Sequence, residues 1–96
     1  MRPSLVLDLK RSAVREAASR FRVANPRVFG SVLHGTDQEG SDLDLLVDAL
    51  PGATLLDLGD LQDELKSLLG VAVDLLTPGD LPPKFRAQVL AEAQPV

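Results

Sequence analysis

Apolar and polar positions change their period several times along the 96 residues. From about Leu5 to Arg22, Leu7, Val14, Ala17, Ala18 and Phe21 recur near helical spacing, with basic residues mostly between them. That pattern predicts an amphipathic helix, broken by the Asn25-Pro26 pair. "RVFG" (27–30) predicts a short strand ended by Gly30. "SVLHG" (31–35) predicts one helical turn, N-capped by Ser31 and closed by Gly35. The polar loop "TDQEGS" leads into "DLDLLVDAL" (42–50), a second strand closed by Pro51-Gly52. Thr54 is placed to cap a helix in which Leu58, Leu61, Leu65, Leu68 and Leu69 share one stripe, and Gly70 is placed to end it. "VAVDLLT" (71–77) predicts a third strand, "PGDLPP" a turn, and "PPKFRAQVLAEA" a short final helix opened by proline.

Strands alternating with helices predict an α/β (α+β) fold: a mixed sheet of three or more strands with helices packed on it. The length allows a single domain over residues 1–96 with a modest core, so a large substrate would have to be another chain. No apolar run approaches about 18 residues, which predicts no membrane span. "SLVLDL" is too short and too acidic for a secretory signal. The absence of cysteine excludes disulfides and thiolate metal sites. A cytoplasmic location is the expectation.

The net charge of −4 hides an asymmetry. Residues 1–27 hold seven Lys/Arg against Asp8 and Glu16, whereas residues 28–96 hold three basic against twelve acidic residues. The acidic balance argues against direct nucleic-acid binding. The basic first third is expected to be a solvated helix face, with phosphate or an acidic partner as the alternative.

Three aspartates alter this otherwise ordinary picture. Strand residues two apart share a face, so Asp42 and Asp44 point the same way while Leu43 and Leu45 face the core. Their Cα atoms are expected roughly 6.5–7 Å apart, a spacing at which two carboxylates converge on a cation or repel without one. Mg²⁺ is bound in this manner, by one or two carboxylates together with substrate phosphates. Asp74 repeats the anomaly inside "VAVDLLT", where a lone charge is costly. If the two strands are neighbours, the three carboxylates make a two-metal site able to clamp both oxygens of a phosphoryl displacement. Gly30 allows close backbone approach, and Ser31 offers a hydroxyl and free amides at a helix start, where phosphates bind. Asp48 reads as strand-end surface, His34 as structural or surface, and Asp37 and Glu39 as solvated loop residues.

"GSVLHGTDQEGSDLD", a Gly-Ser pair followed after ten residues by Asp-x-Asp, resembles the DNA polymerase beta-like nucleotidyltransferase superfamily. With the "LLDLGDLQDELKSLLGVAVDLLTP" and "RAQVLAEA" segments, residues 27–93 look like its minimal nucleotidyltransferase domain, typically an MntA-like antitoxin paired with a HEPN toxin. The resemblance implies that Asp42, Asp44 and Asp74 ligate Mg²⁺, with Asp74 also taking the proton of the attacking hydroxyl. It implies that Gly30 and Ser31 hold the phosphates of ATP, and that AMP passes to a tyrosine of the HEPN partner. His34 stands where the family usually has arginine. The alternative is an antitoxin of the same fold that neutralises its toxin by binding alone.

Overall fold

A computed structural model describes all residues, 1–96. The chain runs α1 (Pro3–Ser19), β1 (Val23–Phe29), α2 (Gly30–His34), β2 (Leu43–Ala49), α3 (Leu55–Leu69), β3 (Val73–Leu76), a 3₁₀ turn (Pro78–Asp80), α4 (Pro83–Glu92) and β4 (Gln94–Pro95). The four strands form one mixed sheet in the order β3-β2-β1-β4. β1 is antiparallel to both β2 and β4, while β2 and β3 run parallel. This is the expected α+β architecture, with β4 added. Two residues of β4 carry no periodic signal, which is why the sequence pattern does not reveal them.

The core lies between the sheet and the pair α1 and α3. Alternation along β2 sends Leu43, Leu45 and Val47 to that side. There they join Val73 and Leu75 of β3, Val23 and Val28 of β1, Leu7, Val14 and Ala17 of α1, and Leu61, Leu65 and Leu69 of α3. Leu58 and Leu68 sit at the edge of the cluster, partly buried. α3 begins with the capping box its sequence suggests. The Asp57 amide donates to Thr54 Oγ1 at 3.3 Å, and the Thr54 amide donates to Asp57 Oδ2 at 2.9 Å. It ends on Gly70, whose φ of +69° is the left-handed geometry that glycine adopts without strain.

Several boundaries differ from the sequence expectation. α1 stops at Ser19, before Asn25-Pro26. That pair instead lies within β1, where the register with β2 shifts between Ala24 and Arg27 and Asn25 takes a φ of +58°. The pair is therefore a bulge in a strand, not a helix breaker. Ser31 is not the N-cap of α2: the helix begins at Gly30, and Phe29 holds the cap position. The strand predicted over 71–77 is only Val73–Leu76.

The basic first third is largely exposed, as a solvated face is, and most of its side chains have partners. Arg11 pairs with Asp8, Arg20 with Glu16 and Glu64, and Arg27 with Asp48. Lys10 donates to the Leu68 carbonyl at 2.8 Å, Arg15 to Val96 at 3.0 Å and Arg22 to Gly52 at 3.1 Å. Arg11–Asp8 and Arg20–Glu16 lie along α1 itself, and the other contacts tie α1 and β1 to their neighbours. No helix is long and apolar enough to cross a membrane.

Leu61 is fully buried where α3 meets the sheet. Leu61→Ala is expected to destabilise the fold by about 2–5 kcal/mol, through lost burial and the cavity left behind. Chemical denaturation monitored by circular dichroism checks this, with an unchanged m-value showing that the native state keeps its compactness.

Candidate functional site

The other face of the sheet carries the chemistry. With Leu43, Leu45 and Val47 committed to the core, Asp44, Leu46 and Asp48 must point away from α1 and α3. Leu46 is nevertheless fully buried. The 3₁₀ turn packs against β2 on this side, and Leu81, the residue after that turn, is buried with Leu46 outside the main core. Arg86 of α4 locks the turn, donating to the carbonyls of Pro78 at 2.9 Å, Gly79 at 3.3 Å and Leu81 at 2.9 Å.

Asp44 stands at the centre of the exposed remainder. In register it lies between Phe29 of β1 and Asp74 of β3. Adjacent strands are about 4.8 Å apart, so Asp44 and Asp74 are direct neighbours across the parallel ladder. Asp42 precedes β2 by one residue, and like Asp74 it is exposed, whereas Asp44 is half-buried. Burial, then the charge of Asp74, then that of Asp42, push the Asp44 carboxyl up to about 6 from an ordinary 3.8.

Gly30 completes the group. Its φ of +73° is left-handed, and a Cβ placed on it would meet Asp44 Oδ2 at 2.2 Å. The carboxylate is thus seated directly against the α-carbon of the bend, in space that only glycine leaves open. Ser31 follows in the first turn of α2, half-buried. The structure therefore brings together Gly30, Asp42, Asp44 and Asp74, with Ser31 adjoining.

Other candidates fall elsewhere. His34 is turned to the end of α4, its Nε2 3.0 Å from Glu92 Oε2. Asp48 is not simply strand-end surface: Arg27 holds it with two hydrogen bonds at 3.1 and 3.2 Å. Those bonds, with the Asn25 amide, keep its carboxyl below the usual range. Asp37 is not a solvated loop residue but buried, at 2% exposure. Sequence reasoning missed it because its neighbours Thr36, Gln38 and Glu39 are all polar and exposed, so no periodicity marks it. Glu39 is exposed, as expected.

The donor set fits a hard divalent cation. All donors are carboxylate oxygens, and the group is poised against itself until positive charge arrives. As placed, no three of these side chains converge on one common ion. Mg²⁺ takes one or two protein carboxylates and completes its shell with phosphates and water.

A mixed sheet with a Gly-Ser bend set against Asp44 and Asp74 is the arrangement that the sequence resemblance implies. The chain belongs to the nucleotidyltransferase family: the nucleotidyltransferase domain model matches residues 10–96. Protein adenylyltransferase MntA of Thermococcus cleftensis is 38% identical over 78 residues, covering 81% of this chain and 79% of that one. A solved candidate minimal nucleotidyltransferase is 45% identical with a TM-score of 0.86, covering 97% of this chain and 95% of that chain. A crystal structure of a toxin–antitoxin with AMP-PNP is 23% identical with a TM-score of 0.71, covering 92% and 70%, and so shares the fold.

Two stability measurements test this geometry. Gly30→Ala is expected to destabilise strongly in wild type. In an Asp44→Ala background it should cost mainly the left-handed strain of about 1–2 kcal/mol, because Oδ2 and Cγ are gone and only the residue 44 Cβ, 3.3 Å away, remains. Equal costs in the two backgrounds would refute the contact. The raised Asp44 carboxyl also fixes a sign. Its ionised form is disfavoured by the fold, so the penalty is absent below about pH 4 and fully present above about pH 6. In EDTA, Asp44→Asn should therefore stabilise the protein at pH 7 by about 1 kcal/mol, solvent screening having reduced the effect, and not at pH 3.5.

Proposed function

We propose that the protein transfers AMP from ATP, with Mg²⁺, to a tyrosine hydroxyl of a partner HEPN toxin, and so acts as the antitoxin of a toxin–antitoxin pair. The observation that carries this reading is the seating of Asp44 between Gly30 and Asp74. The bend and the carboxylates meet at one point of the sheet, which supports phosphate and metal binding there. The kinship with a protein adenylyltransferase named MntA supports adenylyl transfer to a protein.

In this reading Asp42 and Asp44 hold Mg²⁺ with Asp74 as the third carboxylate, in a two-metal site. The metal supplies charge neutralisation at the transferred phosphoryl group and its leaving oxygen. Gly30 and Ser31 hold the phosphates: the missing side chain of Gly30 lets Asp44 sit against the bend that binds them, and the Ser31 hydroxyl donates to a phosphate oxygen. Asp74, exposed to incoming groups, accepts the proton of the tyrosine hydroxyl. The tyrosine oxygen forms a bond to the α-phosphorus, the bond from that phosphorus to its bridging oxygen breaks, and pyrophosphate leaves with the electron pair. Asp42 and Asp74 lie open on the face of the sheet that α1 and α3 leave uncovered. An open site of this kind suits an acceptor carried on the surface of another protein.

A second reading, neutralisation by binding alone, is favoured by one observation. His34, where the resemblance expects arginine, is engaged with Glu92. Intact-mass spectrometry of the toxin co-expressed with this protein separates the two. Adenylyl transfer predicts an added AMP mapped to tyrosine, lost with Asp42→Ala/Asp44→Ala, and a fall in labelling rate on the order of 10²-fold or more. An unmodified toxin that is still neutralised would leave binding alone.

A further inference from the structure

The connection from α2 to β2 delivers Asp42 to the site, and most of it is exposed: Thr36, Gln38, Glu39 and Gly40 all face solvent. Asp37 is the exception, and it is the one charged residue among the buried set. Its Oδ2 accepts the amide of Ser4 at 2.8 Å. Ser4 is the second residue of α1, and Arg2, in the N-cap position, makes no side-chain cap of its own. Asp37 thus caps α1 from 33 residues away in sequence. The Ser4 amide first, and the nearby Arg2 charge after it, hold this carboxyl below its ordinary range. It stays ionised at the positive end of the helix.

The remaining contacts fold the connection onto itself or onto α2. Thr36 donates to the Ser31 carbonyl at 3.0 Å, Gln38 to Ser41 Oγ at 2.9 Å, and Ser41 to the Gln38 carbonyl at 3.0 Å. The ion pair of Glu39 with the Met1 amino group is exposed and worth little. Beyond Asp42, the Leu43 amide donates to the Ala72 carbonyl at 2.8 Å and fixes the chain from the strand side. On the loop side, Asp37 is the only buried tie to another element.

We propose that Asp37 is a positioning residue: by anchoring the 36–42 connection to the first turn of α1, it holds Asp42 beside Asp44. The inference rests on the nucleotidyl-transfer reading of that aspartate pair. Asp37 touches neither substrate nor metal; it acts through the backbone that carries Asp42.

Amide hydrogen exchange on the free protein and the Mg²⁺ dependence of ATP-driven labelling test it together. Thr54→Ala, which removes the cap of α3, serves as a matched loss of helix capping away from the site. Asp37→Ala is expected to speed exchange at Gln38–Leu43 and to raise the Mg²⁺ concentration for half-maximal labelling about tenfold, the scale seen when a group supporting a metal ligand is lost. Thr54→Ala should lower Tm without either change. Asp37→Asn keeps an acceptor for Ser4 and should restore slow exchange and near-normal Mg²⁺ dependence, which also covers the case in which Asp37→Ala fails to fold. If Asp37→Ala merely lowers Tm, with exchange at 38–43 and Mg²⁺ dependence as in Thr54→Ala, Asp37 is only a helix cap and the proposal falls. If the wild type labels nothing, the reading of the site fails, while the exchange data still decide whether Asp37 anchors the loop.

Discussion

A half-buried carboxylate pressed against a glycine is the constraint on which the rest of this structure turns. Asp44 sits in the middle of the sheet because the alternation of β2 gives it no other choice. Leu43, Leu45 and Val47 are drawn to α1 and α3, and the residue between the first two must point to the opposite face. A one-residue slip of register would bury Asp44 and expose three core side chains, so the hydrophobic effect itself fixes the position of the acid. The cost of crowding Asp44 with Asp74 and Asp42 is small beside that. The arrangement is a charged site held in place by an apolar core, with the strain released only when a cation or a proton arrives.

The same division of labour explains the uneven distribution of charge. Several basic residues of the first third make carbonyl contacts and ion pairs that fasten α1 and β1 to their surroundings, with Arg20 reaching across to Glu64 of α3 and Arg27 to Asp48 of β2. A small domain with few aromatic residues buries little surface per residue, and such ties help its longest helix stay docked. Positive charge is thereby kept at the scaffold, and the acidic remainder of the chain carries the site.

Much of this was legible in the sequence because it rests on short-range rules. The period-two alternation of 43–48, the Thr54 cap and the Gly30 bend each follow from neighbours a few residues apart, and the structure has all of them, with Asp42 one residue before the strand. What the sequence did not disclose depends on contacts between distant segments. Asn25-Pro26 looks like a helix breaker to any local rule, and only pairing with β2 turns it into a bulge. Asp37 looks like a solvated turn residue until the start of α1 is laid against it. The exact fit of Gly30 to Asp44 is likewise invisible, since the spacing of a motif gives the residues but not the gap between them.

The uncovered half of the sheet shows how function limits packing. Leu46 needs a cover and receives one from the 3₁₀ turn, which Arg86 clamps by three carbonyl hydrogen bonds. Two residues earlier in β2, on the same face, Asp44 is left without a lid. Extending the cover by a single turn would bury Asp44 and Asp74 together, and two like charges in a low-dielectric pocket could not both ionise. The open face is therefore not unfinished packing. On the proposed function, it keeps the paired carboxylates reachable by a metal–nucleotide complex and by an acceptor that arrives on another molecule.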